Sequence, residues 1–193
     1  MKKLLVLLLL LGLGSLALAQ GLTIGVKGGL NMATITGADA GSPVMKPGLI
    51  GGAYATIDLM FVNIQPELLY SQKGFTQEEA GITLTGHYDY LEIPVLLKFP
   101  LGKIIVPSIY IGPSFGMLSG ASWEASGIEL DMKDYTESSD LGFVFGVDLK
   151  TPVKLTLDAR YTMGLKTVSK EILGVTPEWK NSVISLMVGY ALF

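Results

Sequence analysis

Val153 to Leu165 reads VKLTLDARYTMGL, and its parity decides the fold. The odd positions are Val153, Leu155, Leu157, Ala159, Tyr161, Met163 and Leu165, while the even ones are Lys154, Thr156, Asp158, Arg160, Thr162 and Gly164. Side chains alternate between two faces with a period of two in a β-strand, so the segment is a strand with one apolar and one polar face. Charges confined to the even positions require different surroundings on the two sides of the sheet.

The rest of the chain sets what those surroundings are. Its 193 residues suit one domain. Hydrophobic residues make up 49% of it, and the mean hydropathy of +0.49 is high for a protein that meets only water. Past the N-terminus no apolar run reaches the ~18 residues of a membrane helix, so the apolarity lies in short alternating segments instead.

The N-terminus has its own logic. Met1, Lys2 and Lys3 form a charged start, Leu4 to Leu13 an apolar core, and Ala17-Leu18-Ala19 a small-x-small site, the layout of a secretory signal peptide. Cleavage after Ala19 is expected, giving a signal peptide over 1–19 and a single domain over 20–193. A retained anchor would need a longer apolar core. The chain lacks Cys, so lipidation, disulfides and thiolate metal sites are excluded. Without Lys2 and Lys3 the mature chain has 12 basic against 17 acidic residues, a charge of -5 that gives no footing for nucleic acid.

Eight alternating segments follow: 22–31, 49–59, 61–73, 89–99, 105–117, 141–150, 153–165 and 181–193. They are longer than the usual ~5 to 6 residues of soluble strands and match the ~9 to 11 that a tilted strand needs to cross a bilayer. Short links at 60, 100–104 and 151–152 alternate with long ones at 32–48, 74–88, 118–140 and 166–180. The pattern predicts an all-β fold, an eight-stranded antiparallel up-and-down transmembrane β-barrel, with both termini on the short-turn, periplasmic side of an outer membrane.

Apolar sets such as Leu91, Ile93, Val95, Leu97 and Phe99, or Leu155, Leu157 and Tyr161, are assigned to lipid. The opposite sets are assigned to the lumen. A soluble lipocalin-like barrel would reverse the faces, but with only 16% of residues charged there is too little charge for a fully wet exterior.

The inward inventory is Lys27, Asp58, Glu67, Lys73, Glu92, Lys98, Asp148, Lys150, Lys154, Asp158 and Arg160, six positive and five negative charges. An eight-stranded barrel is narrow enough to be filled by its own side chains. The near-balance therefore predicts an internal salt-bridge network centred on Glu67, Glu92, Asp158 and Arg160. Across the 150–153 link, Asp148 and Lys154 are expected to face each other.

Several stretches resemble a known family. GLTIGVKGGLNMATITG, NIQPELLYSQKGF, YLEIPVLLKFPLG, YIGPSFG, LGFVFGVDL, LDARYTMGL and the terminal VGYALF are together similar to the porin-like outer-membrane β-barrel family often described as PorT-like. The resemblance covers nearly the whole mature chain. It implies the barrel fold and an outer-membrane location. It also implies an aromatic C-terminal signal, Tyr190 and Phe193, read by barrel-assembly machinery, although Phe193 is out of phase with the apolar alternation of Ile184 to Leu192.

Catalysis finds little support. The single His87 lies near Asp89 in a connection, without the spacing of a nucleophile and its base. The Gly28-Gly29 and Gly51-Gly52 pairs sit in strands and fit no phosphate cradle, so no cofactor is expected. The acidic connection holding Glu124, Glu129, Asp131, Asp134, Glu137 and Asp140 lacks EF-hand spacing. The reading is thus a non-enzymatic protein, partnered by outer-membrane lipids and, through its long loops, by envelope or secretion proteins. The alternatives are a narrow channel or an accessory of a secretion or gliding machine; a soluble binder or a barrel hydrolase fits less well.

Overall fold

The computed structural model describes residues 21–79, 81–170 and 177–193, so the expected cleavage site at Ala17 and Ala19 lies outside the described residues. Nine strands run in chain order: β1 (Leu22–Thr36), β2 (Val44–Leu59), β3 (Val62–Glu79), β4 (Ile82–Pro100), β5 (Val106–Ala125), β6 (Ile128–Asp131), β7 (Ser139–Lys150), β8 (Leu155–Gly164) and β9 (Lys180–Ala191). Each long strand pairs antiparallel with its neighbour, and β9 returns to β1. The ring thus closes with eight strands. The short β6 is a hairpin partner at the tip of β5, joined by Ser126 and Gly127 at φ 53° and 80°, the paired left-handed geometry of a type I′ turn.

The two faces have the expected chemistry. On β4, Leu91, Ile93, Val95, Leu97 and Phe99 point outward, while Tyr88, Tyr90, Glu92, Leu96 and Lys98 are buried inside. Five alternate outward positions span nine residues, about 30 Å of strand, which a tilt of roughly 40° reduces to about 23 Å. That is close to the ~25 Å apolar band of outer-membrane barrels.

The strands run beyond this belt at the loop end. The segments 74–88 and 118–140, expected as loops, are largely strand: β3 and β4 pair out to Glu79 and Ile82, and β4 and β5 pair out to Leu84 and Ala125. A bulge between β4 and β5 at Asp89 and Tyr90 reverses the parity of β5 beyond Met117, where the expected strand ended. Before it even positions such as Ser114 and Gly116 face inward; after it Ala121 and Trp123 do. One extra residue, Ser119, re-aims every side chain that follows.

The predicted hairpin pair is corrected by the register. Asp148 lies opposite Asp158, not Lys154. The turn takes up Thr151 to Lys154, with Lys154 at φ 66°, and the strand starts at Leu155 rather than Val153. Lys154 donates to the Leu192 carbonyl at 3.3 Å. Two like charges facing each other are destabilising on their own; here each turns to a different cation, Asp148 to Lys98 and Asp158 to Lys27 and Arg160. Tyr190 points outward from β9, and Phe193 lies past its end, 76% exposed.

Two outcomes follow from this geometry. Lys150 pairs with Thr156, so Lys150→Cys with Thr156→Cys should form a disulfide in the folded barrel, whereas Asp148→Cys with Lys154→Cys should not, as read by the mobility shift after oxidation. Leu186 is 62% exposed midway along the outward row of β9. Leu186→Arg should cost ~2–4 kcal/mol in urea refolding into lipid vesicles, and Thr156→Arg, facing the lumen end, clearly less.

Candidate functional site

One strand recites the lumen from end to end. The inward residues of β3, from the turn end upward, are Asn63, Gln65, Glu67, Leu69, Ser71, Lys73 and Phe75. They mark a polar vestibule, a lower ion layer, an apolar layer, a hydroxyl-amide contact, an upper ion layer and an aromatic cap.

The vestibule is a cavity of about 720 Å³ at the turn end, reached by Asp58, Lys103, Lys150 and Lys154. Lys98 closes its floor through an ion pair with Asp148 and a 2.9 Å bond to Gln65. Above it the two carboxylates Glu67 and Asp158 face the two cations Lys27 and Arg160. Lys27 Nζ lies 2.7 Å from Glu67 and 2.9 Å from Asp158. Arg160 reaches both Glu67 oxygens, at 2.7 and 3.2 Å, and Asp158 at 2.9 and 3.1 Å. The Tyr110 hydroxyl donates to Asp158 at 2.7 Å and its ring lies 5.5 Å from the Arg160 guanidinium. The four charges cancel, which is the condition for burying them.

Tyr110 needs room for this position. Its ring lies over Gly146, its partner on β7, where any Cβ would overlap it. Tyr54 lies over Gly25 and Phe75 over Gly86 in the same manner. These pairs explain part of the glycine content in terms of bore, not flexibility.

An apolar layer of Ile50, Leu69 and Met187 on one side and Leu96 and Val144 on the other separates the lower ions from the upper. Asn31 bridges Ser71 and Ser185 at 3.0 and 2.7 Å. Then Lys73 meets Glu92 at 2.6 Å and Asp140 at 3.1 Å. The network read from sequence as one is thus two: Glu67, Asp158 and Arg160 are joined below, Glu92 sits above with Lys73, Asp148 pairs with Lys98, and Lys154 lies in the turn.

The cap closes the loop end. Phe75, Tyr88, Trp123 and Trp179 form one cluster, with Phe75 and Trp123 edge-to-face at 6.1 Å and the two indoles 5.9 Å apart. Trp123 donates to the Tyr88 hydroxyl at 3.0 Å and Trp179 to the Asp39 carbonyl at 2.9 Å. Sequence reasoning assigned these residues to loops. The inward parity of β3, carried two positions past Lys73 to Phe75, was the available signal.

His87 stands outside the belt, 3.9 Å from Glu124. Partial burial and the Lys46 ammonium lower its pKa below the ordinary value. Among the described residues no three carboxylate or imidazole groups converge to hold a metal ion.

A closed antiparallel ring with a greasy exterior and an ion-paired bore is a transmembrane β-barrel of outer-membrane type. Residues 18–170 match the outer membrane protein beta-barrel domain, and the chain belongs to that family. Two solved structures are similar in fold. Ail, the attachment invasion locus protein of Yersinia pestis, in complex with the heparin analogue sucrose octasulfate, is 13% identical with a TM-score of 0.53, over 89% of this chain and 99% of that one. Neisserial surface protein A is likewise 13% identical, with a TM-score of 0.54 over 89% and 99%. No curated protein matches the sequence.

Arg160→Met would leave Glu67 and Asp158 with Lys27 as the one cation paired to them among the described residues. It should cost about 3–5 kcal/mol, the range for breaking a buried ion pair. Lys150→Met, at the open vestibule, should stay within about 0.5 kcal/mol. Urea titration of the folded barrel in vesicles distinguishes the two.

Proposed function

We propose that this protein is a closed outer-membrane barrel that acts through its loop-end surface, in envelope structure or in binding partners outside the cell, rather than by passing solutes. The observation that carries this is the filled bore. A solute entering the vestibule meets the Lys27–Glu67–Asp158–Arg160 layer, then packed Leu69 and Leu96, then Lys73 with its acids, then the aromatic cap.

The described residues of the loop end are tied to one another. The β8–β9 connection is tied to the β1–β2 loop, where Glu178 donates its backbone N–H to Asp39 at 3.0 Å. It is tied to the segment before β7 by Lys166 with Glu137 at 2.6 Å and by the Thr136–Ser169 bridge. The β5–β6 hairpin projects beyond, bearing Glu124, Glu129 and Asp131. The orientation supported by the turns is periplasmic for both termini, with residues 1–19 removed as a signal peptide. Tyr190 and Phe193 are the proposed signal to barrel-assembly machinery. The PorT-like motifs supply inward Gln65, Glu67 and Glu92, so in this reading they serve the bore.

Planar-bilayer recording tests the reading. The folded protein should insert without stepwise conductance at neutral pH. Sustained steps that survive removal of contaminating porins would overturn it in favour of the narrow channel.

A further inference from the structure

The upper ion layer has a surplus negative charge. Lys73 faces both Glu92 and Asp140. Residues 171–176, EILGVT, contribute no cation by their sequence, and Lys166 is engaged by Glu137 and Ser139. An uncompensated carboxylate in a closed interior is strongly unfavourable.

Oxygen atoms without partners gather around this surplus. Lys73 and the Asn181 amide both donate to the same atom, Asp140 Oδ2, at 3.1 and 2.8 Å. Asp140 Oδ1, Asn181 Oδ1 and the Tyr90 hydroxyl have no hydrogen-bond partner among the described residues. These residues are only 3%, 1% and 0% exposed, and the Lys73 ammonium lies 4.9 Å from the centre of the Tyr90 ring, which places that side chain beside the same ions. Gly116 stands in register between Glu92 and Asp140. A Cβ there would come within 3.3 Å of both the Asp140 Cβ and the Tyr90 ring, so glycine keeps that niche open. The other buried side-chain oxygen without a partner among the described residues, Asp148 Oδ1, belongs to the vestibule wall instead.

We propose that the niche holds an alkali metal cation of the Na⁺ class, ligated by Asp140 Oδ1, Asn181 Oδ1 and the Tyr90 oxygen. All-oxygen donors suit a hard cation. One positive charge cancels the surplus, whereas a divalent ion would reverse it. A buried water would satisfy the three oxygens but leave the charge uncompensated.

The test uses the full mature barrel folded in zwitterionic detergent, with thermal unfolding followed by near-UV circular dichroism. NaCl and choline chloride are titrated at equal ionic strength, choline being too large to enter. The midpoint should rise with Na⁺ and saturate, and not with choline. Asp140→Asn removes the surplus charge with little change of shape and should abolish the Na⁺ response, while Glu137→Gln in the adjacent loop should keep it. Should Asp140→Asn fail to fold, Tyr90→Phe deletes one ligand and should weaken the response. Equal responses to Na⁺ and choline would overturn the site, as would an undiminished Na⁺ response in Asp140→Asn or Tyr90→Phe.

Discussion

The lower half of this bore is organised around the need to bury Arg160. Its guanidinium is held by Glu67 from β3 and Asp158 from its own strand, with Lys27 from β1 completing the square. These strands are not neighbours in a single hairpin, so the square is satisfied only when the ring has closed in one register. A slip of one residue would turn charged rows toward lipid. The ion pairs therefore specify which barrel forms more than they add to its stability, since apolar residues of similar volume can fill such a space as well.

The glycines follow from the same constraint. Tyr110 and Tyr54 each face a long charged side chain on one neighbouring strand, Lys98 and Glu67, and lie over a glycine on the other, Gly146 and Gly25, where a Cβ would overlap the ring. The rings in turn screen the cations, with Lys27 5.3 Å from the Tyr54 ring and Lys73 4.9 Å from that of Tyr90. Charge, ring and missing side chain form one unit.

Much of this was legible in the alternation. The parity of Val153 to Leu165 put Asp158 and Arg160 on the face that turns inward, and the same reading placed Glu67 and Glu92 there. Four things were hidden. The Ser119 bulge changes parity without any sequence mark. The Thr151–Lys154 turn consumes residues that the apolar pattern assigned to a strand. Apolar residues also face inward at Leu69 and Leu96 beside outward Leu68 and Leu97, where both faces read alike and a period of two carries no information. The cap was missed because tryptophans above the lipid belt look like loop residues until the strands are known to extend.

The bond between Trp179 and Asp39 joins the segment entering the last strand to the loop after the first. That places it across the seam where β9 meets β1, 140 residues apart in the chain. Closing a contact of such separation costs chain entropy, which the pairing of β9 with β1 offsets, so the bond belongs to the closed cylinder. The cap thus records completion: with the seam open Trp179 would lose its Asp39 partner, and the closed barrel is what holds Phe75, Trp123 and Trp179 in one cluster.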